Sequence, residues 1–239
     1  MAMGDMRAVV YVIDNDPSMR AALEDLIGSV DLAVQMFASP QEFLQARRPD
    51  APGCLVLDVR LPGMSGLTFQ KELARMRVDL PMIFITGHGD IRTSVRAMKA
   101  GAVDFLIKPF QDQDLLDAIH AAIGRNCERR REAVLVAELQ ERHATLTARE
   151  RQIMTLVVTG RANKQIAAEL SLSEMTVKVH RGQAIRKMQA GSLPELVRMA
   201  DRLAGMRVAG RVASLELRVD PEHEIAGFAV PDVEGRRAL

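Results

Sequence analysis

The stretch CLVLDVRLPGMSG at residues 54–66 decides the fold. Its first part is a short apolar run that ends on Asp58, and it is followed at once by a Pro- and Gly-containing loop. A run of this length bounded by turn residues reads as a buried strand rather than a helix. Outward from it, further strands are predicted at 9–14, 32–37, 82–86 and 104–107, each followed by an amphipathic helical stretch, the last of them at 112–123. Short β-branched runs alternating with longer amphipathic segments predict an α/β domain with a doubly wound, five-stranded parallel sheet covered by helices.

This domain occupies residues 1–125 of a 239-residue chain, which leaves room for a second one. Residues 126–145 are charged, contain no Gly or Pro, and are predicted to extend the preceding helix as a linker. Cys127, Val134, Val136 and Leu139 have the mixed spacing either of a short coiled-coil seam or of a solvated connector. From 146 to 204 the pattern is all helical. A capping box at Thr147 and Glu150, N-caps at Asn163 and Ser173, and a second box at Ser192 and Glu195 predict helices at 148–159, 164–170, 174–189 and 193–203. The tail, 205–239, shows no sustained period and receives no assignment.

Composition excludes several classes. No apolar run approaches the roughly 20 residues that cross a bilayer, and the N-terminus lacks the pattern of a secretory signal, so a cytoplasmic protein without a membrane partner is expected. Two cysteines, Cys54 and Cys127, make no disulfide framework. The net charge of +1 hides an asymmetry: residues 1–125 carry 13 basic against 16 acidic side chains, whereas residues 146–204 carry 10 against 5. The second domain is the one that would attract a phosphate backbone.

In a doubly wound sheet, ligands bind beyond the carboxyl ends of the strands, where the strand order reverses. The chemistry-bearing residues of the first domain fall there. Asp14, Asn15 and Asp16 close the first predicted strand, Asp58 the third and Thr86 the fourth, while Lys108 and Pro109 follow the fifth. Clustered carboxylates repel one another and suit a hard cation such as Mg²⁺, which can also bridge to phosphate oxygens. Asp58 is the expected nucleophile toward a phosphoryl group, Lys108 the cation facing the phosphate oxygens, and Thr86 a supporting hydroxyl. His88, on the loop after the fourth strand, has no nameable partner, and Cys54 reads as a buried small hydrophobe.

The ordered set IDND at 13–16, LDVRLPGMSG at 57–66, ITGHGD at 85–90 and FLIKPF at 105–110 closely resembles the receiver domains of two-component systems, which have the CheY-like fold. The resemblance covers residues 7–125. It implies that Asp58 takes phosphate from a sensor histidine kinase, that Mg²⁺ is held by Asp14, the position of Asn15, Asp58 and the main-chain carbonyl of Arg60, and that Thr86 and Phe105 move together as a switch. Asn15 departs from the family pattern, where a second acidic residue stands. Its neutral oxygen should weaken binding of a hard cation, and Asp16 could compensate through water.

In the second domain the Ser171-Leu172-Ser173 turn forces two helices into a steep crossing. The following helix puts Val177, Ile185 and Met188 inward and leaves Thr176, Lys178, Arg181 and Gln183 outside, while Lys164 suits a phosphate. Charge alone leaves a generic helical bundle open. Residues 146–203 are, however, similar throughout to the four-helix DNA-binding domain of the LuxR type, and the pairing with a receiver resembles the FixJ subgroup. That resemblance implies contact with double-stranded DNA through Thr176, Val177, Lys178 and Arg181. It also implies dimerisation through Leu193, Leu196, Val197 and Ala200. Gly182, in mid-helix, suggests a close approach of another backbone or of a DNA phosphate.

The expected function is therefore a DNA-binding response regulator, homodimeric on phosphorylation, with RNA polymerase as a further partner. Two rivals remain at this level. A phosphorylation-independent receiver rests on Asn15, and an aspartyl-phosphate hydrolase would need an acid two residues after Asp58, where Arg60 stands.

Overall fold

The computed structural model describes residues 7–87 and 91–216, so His88, the N-terminal six residues and the segment 217–239 lie outside the described residues. The chain divides between Glu138 and Leu139 into two compact units.

The first unit is the expected parallel sheet. Its strands are β1 (Val9–Ile13), β2 (Ala33–Phe37), β3 (Gly53–Asp58), β4 (Met82–Thr86) and β5 (Asp104–Ile107), in the order β2-β1-β3-β4-β5. The helices α1 (Pro17–Gly28), α2 (Pro40–Gln45), α3 (Gly66–Arg75), α4 (Ile91–Lys99) and α5 (Asp112–Ala144) alternate with them. The three inner strands are buried along their whole length, which is why VVYVI, GCLVLD and MIFIT read as continuous apolar runs rather than alternating ones. Their side chains nonetheless alternate between two cores. Val10, Val12, Cys54, Val56, Ile83 and Ile85 pack with Leu23 and Ile27 of α1 and Leu115 and Ile119 of α5. Tyr11, Ile13, Leu55, Leu57 and Phe84 pack on the other face with Phe43 and Phe69. There the Phe43 ring makes edge-on contacts with Tyr11, Phe37 and Phe69, the favoured geometry for aromatic quadrupoles.

One glycine brings a helix onto the site. A Cβ at Gly66 would lie 2.7 Å from the carbonyl oxygen of Asp58, so only glycine lets the start of α3 sit this close to the end of β3.

Residues 126–144 continue the preceding helix, α5 running without a break from Asp112 to Ala144. Asn126 is buried; its Oδ1 accepts from the backbone N–H of Gly53 at 3.1 Å, and its Nδ2 donates to the carbonyl of Asp79 at 3.1 Å. Arg129 pairs with Asp79 at 2.6 Å and Arg130 pairs with Asp50. Leu139 instead joins the core of the second unit. A seam through Cys127, Val134, Val136 and Leu139 is thereby divided, since Val136 and Leu139 are buried while Val134 is exposed.

The second unit holds α6 (Ala148–Val158), α7 (Asn163–Leu170), α8 (Glu174–Met188) and α9 (Leu193–Glu216). Its core joins Ile153, Met154 and Val157 of α6 to Ile166 of α7, Val177 and Met188 of α8 and Leu196 of α9. The helix expected to end near 203 continues to Glu216. No proline interrupts residues 195–216, and a glycine such as Gly205 weakens a helix by about 1 kcal/mol without blocking its hydrogen bonds. Among the described residues, no helix is long and apolar enough to cross a membrane.

Candidate phosphoacceptor site and nucleic-acid interface

The chain leaves β1 for the sheet edge at β2 and returns to β3, so the reversal in strand order lies between β1 and β3. Asp14 follows the first of these strands and Asp58 ends the second; both are buried. Lys108 reaches them from the end of β5. Its Nζ donates to Asp14 Oδ2 at 2.7 Å and to Asp58 Oδ2 at 2.9 Å. The remaining oxygens are fixed by the backbone: Asp14 Oδ1 accepts from the N–H of Asp16 and Asp58 Oδ1 from the N–H of Arg60, each at 2.8 Å. Burial pushes the Lys108 ammonium toward deprotonation, yet its hydrogen bonds and charge attraction to Asp14 and Asp58 outweigh this and hold its pKa above the ordinary lysine value. Two carboxylates thus share one ammonium, which leaves one negative charge uncompensated in a pocket with little solvent.

The neighbours sort into holders and bystanders. Asp16 caps α1, its Oδ1 accepting from the backbone N–H of Ser18 at 2.8 Å and more weakly from that of Met19 at 3.4 Å, so this side chain serves the helix start. Asn15 is exposed and lines an open groove with Arg60, Pro62 and Met64. Thr86 is fully buried at the end of β4, and the half-buried Phe105 has its ring 6.4 Å from that of Phe84. Arg20, which the sequence pattern did not single out, donates from Nη1 to the carbonyl of Asp14 at 2.7 Å. Its only signal in the sequence was a cation one turn into α1. Cys54 is buried, and desolvation pushes its thiol pKa up to about 12, so it is an inert core residue.

In the second unit, α7 ends on Ser171 in the left-handed region (φ 53°), and α8 begins at Glu174 behind a Ser173 cap on the N–H of Thr176 at 3.0 Å. Lys164 and Lys178 are exposed, and Thr176 is half-buried with its hydroxyl paired to that of Ser173 at 2.8 Å. The Arg181 guanidinium donates to Asn163 Oδ1 at 3.0 Å, which ties α8 to the first turn of α7. Asn163 is therefore helical rather than the N-cap. The cap position is Ala162, whose N–H donates to Gln165 Oε1 at 2.9 Å. The Thr147–Glu150 box forms in full, whereas Glu195 turns its carboxylate to the N–H of Gly191 and not to that of Ser192.

Residues 10–120 match the response regulator receiver domain, and residues 144–200 match the luxR family of bacterial regulatory proteins. Nodulation protein W of Bradyrhizobium diazoefficiens is 55% identical over 197 residues, which are 82% of this chain and 87% of that protein. The transcriptional regulatory protein FixJ of Azorhizobium caulinodans is 46% identical over 200 residues, 84% of this chain and 94% of the relative. The chain is a two-component response regulator of the FixJ type. Solved structures agree with that membership. StyR has a TM-score of 0.70 at 45% identity over 82% of this chain and 99% of its own, and full-length FixJ from B. japonicum one of 0.52 at 40% identity over 84% and 98%.

Within this response regulator, two residues carried over from the family pattern are placed elsewhere by the packing. Val177 is fully buried among α6, α7 and α8, so its side chain belongs to the core and not to a DNA-facing set. Leu196 is likewise in the core, and Leu193 and Ala200 lean on it, which leaves the half-buried Val197 as the member of that set outside the cluster. The exposed apolar residues of α8 are instead Met175 and Val179, 68% and 51% exposed. Neither is legible in the sequence, because an apolar side chain on a helix reads by default as core. Among the described residues nothing lies where a Cβ at Gly182 would strike, so none of their packing calls for glycine there.

Proposed function

We propose that this response regulator accepts a phosphoryl group on Asp58 from a sensor histidine kinase in the cytoplasm, dimerises in response, and so controls transcription through its helical unit. The observation that carries the reading is the ammonium of Lys108 held at 2.7 and 2.9 Å from two buried carboxylates at the reversal in strand order. An oxygen of Asp58 would attack phosphorus as the bond from phosphorus to the kinase imidazole breaks, and the imidazole leaves with its electron pair. Lys108, already placed on the Asp58 carboxylate, would then face the phosphoryl oxygens and neutralise part of their charge.

The groups that would hold a cation here all offer oxygen: the carboxylates of Asp14 and Asp58, the Arg60 carbonyl and the amide of Asn15. That set fits Mg²⁺, which when bound would neutralise the excess carboxylate charge and the phosphoryl oxygens. Asn15 supplies a neutral oxygen where a carboxylate would bind more tightly, so Asn15→Asp is expected to lower the Kd for Mg²⁺ in a titration, and an unchanged value would show that this side chain does not face the ion.

The dimer face is assigned to α4 and β5. Ile91, Val95 and Met98 are exposed at 82%, 44% and 45%, and Ile107 of the neighbouring β5 at 52%, apolar surface that suits a second copy of this chain. Pairing two helical units on two DNA half-sites raises affinity through avidity without new base contacts. Lys178, Met175 and Val179 are the side chains offered to base edges and Lys164 the one offered to a phosphate. Gly182, with open space above it, lets a phosphate or sugar approach α8.

The test is direct. Incubation with Mg²⁺ and acetyl phosphate should add one phosphoryl mass that Asp58→Ala abolishes, and the modified protein should sediment as a dimer and bind its operator more tightly. Phosphorylation without any change in oligomeric state or DNA affinity would sink the dimerisation switch, and no mass gain with any donor would leave the receiver as a phosphorylation-independent module.

A further inference from the structure

The receiver carries a second concavity at the opposite end of the sheet from Asp58. It has a volume of about 760 Å³, within the range of small-molecule sites. Its floor is apolar: Pro81 and Met82, where β4 begins, are buried, and Val78, Leu80 and Val103 are half-buried around them. Its rim is cationic. Lys71 of α3, Arg77 in the following loop and Arg125 of α5 are exposed at its edge and make no ion pair among the described residues, while Arg129 is matched by Asp79 and Glu128 adds one further acid.

A third feature is independent of the charges. Gln70 lines the same cavity and is only 3% exposed; its Nε2 donates to the carbonyl of Ala100 at 3.1 Å, while its Oε1 is buried without a hydrogen-bond partner among the described residues. An unsatisfied buried acceptor costs stability, so a donor supplied by a bound molecule would offset that cost.

We propose that this cavity is a binding site for a small organic anion with an apolar body, the body lying on Val78, Leu80 and Met82 and the anionic group between Lys71, Arg77 and Arg125. The combination discriminates. A bare inorganic anion gains nothing from the floor, and a neutral apolar molecule gains nothing from the rim. Since Arg125 is on α5, such a ligand would bear directly on the helix that leads out of the receiver.

The experiment uses the full chain and the dye 1-anilinonaphthalene-8-sulfonate, which has apolar rings, one sulfonate and an N–H donor. Titration followed by fluorescence should show one saturable site, with the dye displaced by octanoate but not by inorganic phosphate at equal ionic strength. The exposed pair Lys71→Glu with Arg125→Glu should weaken binding about tenfold, as loss of a charge-assisted contact does, and Ala74→Trp should fill the cavity and remove binding. On the unmodified protein, NMR shifts should centre on the Gln70 side-chain amide and the amides of Gly101 and Val103. The proposal is overturned if the dye does not bind, if phosphate displaces it, or if Ala74→Trp leaves the titration unchanged. It also fails if the shifts centre on residues 91–98 and Ile91→Asp with Met98→Asp abolishes the signal, since the dye would then be reading the exposed strip of α4.

Discussion

Each unit contains a lysine bonded to a buried carboxylate, and the two arrangements differ in charge. In the helical unit Lys187 donates to Glu150 Oε2 at 2.7 Å and to the carbonyl of Thr145 at 3.2 Å, and the same Glu150 oxygen accepts from the N–H of Thr147 at 2.7 Å. One cation meets one anion, and the carboxylate also closes the start of α6. In the receiver one cation meets two anions that come from different strands. A balanced pair locks helices together, whereas an unbalanced cluster holds charge in reserve for a ligand of opposite sign.

The largest effect expected from this contrast is in the balanced pair. Glu150→Gln should destabilise the helical unit by about 2 kcal/mol, less than for a fully buried pair because Lys187 is partly exposed and screened. Hydrogen exchange resolved by unit would check it, and loss of protection in the receiver instead would contradict it. The pH dependence follows from the same group. The hydrogen bond from Lys187, with that from the N–H of Thr147, holds the Glu150 carboxyl below its ordinary value of 4.5. Its contribution is therefore complete above that value and is lost as pH falls through the lower folded pKa. Acid unfolding of the wild-type helical unit should show this loss, and Glu150→Gln should flatten it.

The unbalanced cluster should respond in the opposite sense. Asp58→Asn removes one of two carboxylates sharing Lys108 and should stabilise the receiver by about 1 kcal/mol while ending phosphorylation; a destabilised receiver in denaturant titration would mean that Asp58 is held by attraction rather than against repulsion. The smallest effect is at Gly182. Gly182→Ala should stabilise the helical unit by roughly 0.5–1 kcal/mol, as at an open mid-helix position, and weaken DNA binding; unchanged DNA affinity would remove the close-approach role.

The sequence foretold the placement of side chains unevenly. Asp14, Asp58 and Lys108 were legible because their strand ends are marked by apolar runs, and strand ends are where a parallel sheet collects its ligands. Leu196, and Val177 against the helical spacing that had put it inward, were given outward roles because a family pattern assigns a role to a position without saying which way the side chain points. On a short helix, one residue of rotation turns a side chain from the groove to the core. Arg20 was missed because its partner is a backbone carbonyl, which has no spelling. Asn126 looked like the first residue of a linker for a similar reason, since both of its partners are backbone groups 73 and 47 residues away.

Local chemistry written in the sequence determined the elements of this protein: five apolar strand runs, the Thr147–Glu150 box, the Ser173 cap and the acids and lysine of the receiver. Only the tertiary structure decided the bonds they make: that Lys108 bridges both carboxylates of the receiver, and that Lys187 meets Glu150. Lys108 lies 94 residues from Asp14 and 50 from Asp58, and Lys187 lies 37 from Glu150. The physical reason is that propensity, capping and periodicity act within a turn or a strand, whereas charge balance and burial are properties of groups that only packing brings within hydrogen-bond reach.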